Sequence, residues 1–115
     1  MTPTIKLAYD AYIAAGKLEY KPRSHSKEHA RNLKLYREAR KNLCDLLESD
    51  YLSGSMKDVR IERLRKKLAE LEANKKITDG ISVMNYQTEK RCYEMRYYDR
   101  LIELYEMEVQ TCQVL

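Results

Sequence analysis

The run His25-Ser26-Lys27-Glu28-His29 follows the H-x-x-E-H order. On a helix that spacing sets two imidazoles one turn apart to hold a metal, with the motif glutamate placed to work on bound water. Glu103 or Glu106 would have to supply the distant carboxylate ligand. Three features oppose this chemistry. The motif overlaps the expected start of a helix, so His25 need not stand one turn below His29. Lys21, Arg23, Lys27 and Arg31 surround it with positive charge, and 115 residues are too few for the folds that use it. The run reads as two solvent-facing histidines, with no metal ligand and no cofactor assigned.

Cys44, Cys92 and Cys112 offer three thiols, an odd number at wide spacings. A nucleophilic thiol needs a base within hydrogen-bond reach and an electropositive perch. The surrounding pattern suggests buried, reduced cysteines in helices and a cytoplasmic setting. The phosphate-cradling patterns G-x-x-x-x-G-K-[ST] and G-x-G-x-x-G are absent, as is the nucleophile elbow G-x-S-x-G; a total of 3 Gly leaves no material for such loops. No catalytic residue is assigned, and an enzyme is not expected. Lys6, Asp10, Lys17 and Glu19 interrupt the first twenty residues, so neither a signal peptide nor a membrane span is expected there, and no membrane partner is expected.

The same scarcity of Gly, with only 2 Pro, leaves few turn formers for sandwiches, barrels or doubly wound sheets. The expected class is all-α: a four-helix antiparallel bundle or extended helical hairpin with two long helices and coiled-coil-like packing, one helical domain over 1–115. Helix 1 is expected over about 4–16, ended by Gly16, with Ile5, Ala8, Tyr9, Tyr12 and Ile13 on one face. Pro22 and the serines at 24 and 26 precede helix 2, about 25–52, whose stripe is Leu33, Tyr36, Ala39, Leu43 and Leu47. The Gly54-Ser55-Met56 run resembles the scar of a joint between two segments. Ser55 and Asp58 suggest a capping box for helix 3, about 56–76, followed by Ile61, Leu64, Leu68 and Leu71 at coiled-coil spacing. Asp79-Gly80 reads as a helix-to-helix turn rather than a short hairpin.

Helix 4, about 82–113, carries one stripe of Met84, Thr88, Met95, Tyr98, Ile102, Tyr105, Val109 and Cys112 beside a second of Tyr93, Tyr97, Leu101 and Leu104. That arc is wider than one neighbour requires, which predicts a partner surface and a homodimer through this helix. Five of the 10 tyrosines lie here, in a chain without Phe or Trp. A ring that buries like a hydrophobe while its hydroxyl seeks a partner suits half-wet contacts.

The net charge of +4 conceals segregation: residues 21–42 carry +6, residues 57–76 carry +4, and residues 77–115 carry −3. The reading that follows is a non-catalytic protein–protein interaction module, an adaptor, assembly factor or small inhibitor that binds a larger macromolecule. Tyr93, Tyr97, Tyr98, Leu101 and Tyr105 are its expected anchors, and Arg31, Lys34, Arg37 and Arg40 steer an acidic partner. The alternative is a sequence-nonspecific binder of nucleic acid or nucleoprotein, using Lys27, Arg31, Lys34, Arg37, Lys41, Arg60, Arg63 and Lys67 against phosphates.

Overall fold

The structure, a computed structural model, describes the backbone of residues 3–19, 27–74 and 82–114, and the side chains of these except at 19, 74, 82–85 and 112–114. Pro22, the serines at 24 and 26, His25 and the Asp79-Gly80 turn lie outside the described residues, as do the side chains of Met84 and Cys112. Among the described residues every regular element is an α-helix: α1 (Pro3–Glu19), α2 (Lys27–Ser53), α3 (Val59–Asn74) and α4 (Ser82–Val114). The chain divides into two compact units, 1–53 and 54–115, within the span that the sequence reading takes as one domain. The division falls beside the Gly54-Ser55-Met56 run.

In the first unit α1 packs on α2. Pro3 opens α1, where a missing N–H costs nothing because the first-turn donors have no helical acceptor. Gly16 does not end the helix as expected; α1 continues to Glu19. A glycine stops a helix only when the chain beyond it turns left-handed or loses its contacts. Here Gly16 faces the Tyr36 ring, the nearest ring carbon lying 3.7 Å from where a Cβ would stand. Ile5, Ala8 and Ala15 are buried on α1, and Leu43, Cys44 and Leu47 on α2. Tyr12 stacks on Tyr36 with ring centroids 5.5 Å apart and hydroxyls 3.5 Å apart. Ile13, expected on the packed face, is exposed.

In the second unit α3 packs on α4. Ile61 and Leu71 are buried from α3, and Tyr86, Tyr97, Leu101, Ile102 and Tyr105 from α4. Helix α4 runs unbroken for 33 residues, about 50 Å at 1.5 Å per residue. Tyr97, Leu101, Ile102 and Tyr105 all belong to the expected stripes, but the buried side departs from them toward the N-terminal half of the helix. Thr88 and Met95 of the first stripe are exposed, while Tyr86, which belonged to neither stripe, is buried. Half-buried Lys90 and Glu94 explain the error, because they sit along the packed side where a hydropathy pattern looks for apolar residues. Cys44 is buried as the thiol reading expects, but Cys92 is exposed on the other side of α4.

Gly16→Ala tests the packing of α1 on α2. The added methyl meets Tyr36 at ordinary contact distance, so the gain in helix propensity is retained, and the variant is expected to be about 0.5–1 kcal/mol more stable in urea denaturation followed by circular dichroism.

Candidate interaction surface

The most constrained polar group is Asp58. Its carboxylate Oδ1 accepts the backbone N–H of Ile61 at 3.0 Å, and its carbonyl accepts the N–H of Glu62 at 3.0 Å. It therefore caps α3, and the expected Ser55 capping box is not the start of this helix. The same carboxylate receives two bonds from Arg100 on α4, Nε to Oδ1 at 3.1 Å and an Nη to Oδ2 at 2.8 Å. Both side chains are only 15% exposed, and Arg100 reaches Glu103 at 3.0 Å as well. The guanidinium, and after it the Ile61 amide, hold the Asp58 carboxyl below its ordinary pKa despite partial burial. The arrangement is a forked ion pair that joins two helices, a structural role.

Farther along the pair, Tyr86 donates to Glu72 Oε2 at 3.0 Å, and Lys90 lies 3.8 Å from the same oxygen. Burial, together with the Glu72 carboxylate, pushes the Tyr86 phenol above its ordinary pKa. Tyr93 lies between two cations, Lys67 at 5.7 Å and Arg96 at 5.6 Å from its ring centre.

The five expected anchors separate into two groups. Tyr97, Leu101 and Tyr105 are buried within one copy of the chain and present no surface to a partner. Tyr93 and Tyr98 are half-buried, Tyr98 lying 6.1 Å from Tyr97 between ring centres. Three of the five expected anchors are thus core residues.

The basic residues divide as well. Lys27, Arg31, Lys34 and Arg37 are exposed on α2, as are Arg60 and Arg63 on α3. Lys41 is exposed but lies 2.9 Å from Asp45. Arg40 is half-buried over the Tyr36 ring at 5.5 Å, with its Nε buried and lacking a hydrogen-bond acceptor among the described residues. Arg40 therefore belongs to the packing of the first unit rather than to a steering surface. His29 is half-buried and Glu28 exposed. Among the described residues no group of three or more His, Cys, Asp or Glu side chains is placed to hold a metal, and no helix is long and apolar enough to cross a membrane.

The surface that sequence reasoning missed is the outer side of α1. Leu7 is 70% exposed and Leu18 is 41% exposed, with Ala11 and Ala14 exposed between them. The spacing 7, 11, 14, 18 is a second heptad-like line beside the one that packs on α2. Its signal in the sequence is a helix apolar on two sides. No family model, curated protein or solved structure matches the chain.

The Asp58 geometry sets a stability test. Asp58→Ala removes cap and ion pair and is expected to cost about 2 kcal/mol, whereas Asp58→Asn keeps the cap and loses about half as much. Because the folded-state pKa lies below the unfolded one, this stabilisation is complete above the ordinary aspartate value of about 3.9 and disappears as pH falls through the depressed value. Denaturation midpoints measured against pH should therefore show a larger acid-side loss in the natural chain than in Asp58→Asn.

Proposed function

We propose that this protein is a non-catalytic interaction module, an adaptor, assembly factor or small inhibitor whose work is done by helix surfaces. The observation that carries the reading is the apolar line left exposed along α1, Leu7, Ala11, Ala14 and Leu18. Such residues, when they lie in line on one helix, mark contact sites. In this reading each unit is an antiparallel, coiled-coil-like helix pair. In the second pair the contacts run in opposite order, Asp58 with Arg100, Lys67 with Tyr93 and Glu72 with Tyr86. Arg31, Lys34 and Arg37, exposed along α2, would steer an acidic partner, and Tyr93 and Tyr98 would add half-buried aromatic contacts.

The nucleic-acid alternative uses the same cations. It is the weaker reading because Glu38 and Asp45 share the outer side of α2 with Lys27, Arg31, Lys34 and Lys41, and Asp45 already pairs with Lys41. Lys67 is engaged with Tyr93.

Two measurements test this reading. Titration of a fluorescent oligonucleotide at about 50 and about 200 mM salt is expected to show no appreciable binding; affinity falling by orders of magnitude across that range would establish the alternative instead. Immobilised protein is expected to retain a protein partner from an extract of its native source, and a variant carrying Arg31→Glu and Arg37→Glu, with unchanged helicity, is expected to retain it at least about tenfold less well. Equal retention would remove α2 from the contact.

A further inference from the structure

We infer that the outer side of α1 is the docking surface for a second copy of this chain, arranged as an antiparallel helix pair. The assignment rests on the interaction-module reading and names its partner. At 3.6 residues per turn, Thr4, Leu7, Ala11, Ala14 and Leu18 recur at spacings of three and four, the alternation of a coiled-coil seam. All five are exposed. The residues that flank this line on one edge, Ala8 and Ala15, are buried on the side of α1 that packs against α2. The other edge carries Asp10 and Lys17, both exposed, and among the described residues neither has an ion-pair partner.

Charge selects the occupant and its direction. Asp10 and Lys17 hold equivalent places one heptad apart, each just before a seam residue, Ala11 and Leu18. In an antiparallel pair such equivalent edge positions face each other across the seam. If Ala11 of one copy packs on Ala14 of the other, Leu7 meets Leu18 at both ends, and Asp10 of each copy comes within side-chain reach of the partner's Lys17. The ion pair therefore forms twice by symmetry. In a parallel pair the same edge would face Ala8 and Ala15, which carry no charge to answer it. The alanines at the centre let the two backbones approach to the short end of helix spacings, about 8 Å, so the leucines at the ends close over the seam. Helix α1 is 17 residues, about 25 Å, which places this contact among small interfaces with dissociation constants in the micromolar range.

Sedimentation equilibrium of the full chain, from about 1 to about 300 μM, tests the inference through mass action. The mass is expected to rise from 13.7 kDa toward twice that value. Asp10→Lys alone, or Lys17→Asp alone, sets like charges opposite each other and is expected to weaken the dimer about tenfold. The double variant D10K/K17D re-forms both pairs in reversed polarity and is expected to return the dissociation constant to within about twofold of the original. Circular dichroism should show unchanged helicity in all three, since both positions are exposed. A chain that stays monomeric at every concentration overturns the inference, whether or not it binds vesicles containing phosphatidylserine. So does a dimer indifferent to the single changes, or one that the double change fails to restore. None of these results bears on retention of a different protein partner by the α2 face, which is measured separately.

Discussion

One carboxylate organises the second unit. Asp58 closes the open amide end of α3 and, through the Arg100 fork, binds that end to the middle of α4. A cap alone fixes where a helix begins, and an exposed ion pair alone contributes little. Combined on one half-buried carboxylate, they set the register between the two helices: with Asp58 opposite Arg100, Lys67 falls beside Tyr93 and Glu72 beside Tyr86. Ile61, one turn beyond the cap, is fully buried.

That register determines what the tyrosines do. A chain without Phe or Trp has to fill its larger spaces with rings that carry hydroxyls. Burying such a ring is favourable only when the hydroxyl keeps a partner, and Tyr86 finds one in Glu72. Tyr12 and Tyr36 solve the same problem by stacking with their hydroxyls together. The tyrosines of α4 are therefore mainly core material, with Tyr86, Tyr97 and Tyr105 buried.

Elsewhere, aliphatic and small residues remain exposed on helical backbone. Helix α1 buries Ile5, Ala8 and Ala15 on one side and leaves Leu7, Ala11, Ala14 and Leu18 in water on another. Helix α2 buries a narrow stripe of Leu43, Cys44 and Leu47 and exposes many charges, with Leu35 and Leu52 exposed among them. The two helices thus expose surfaces of different character, apolar on the outer side of α1 and rich in cations along α2.

The positions and lengths of the helices were legible in the amino-acid sequence, because scarcity of Gly and Pro and a recurrence of three and four are properties of neighbouring residues. The long C-terminal helix, the stripe on α2 and the buried Cys44 follow from them. Three things were decided only by tertiary structure: the start of α3 at Val59, which part of the wide apolar arc of α4 is buried and its extension to Tyr86, and the sealing of Tyr97, Leu101 and Tyr105. Each depends on partners remote along the chain. Arg100 lies 42 residues from the carboxylate it holds and Tyr86 lies 14 from its acceptor. Lys90 and Glu94 line a packed side through ion pairs that a hydropathy pattern counts as solvent exposure. Local periodicity specifies that a helix has a face to bury; only the partner helix, through charge and hydrogen bonding, determines which face that is.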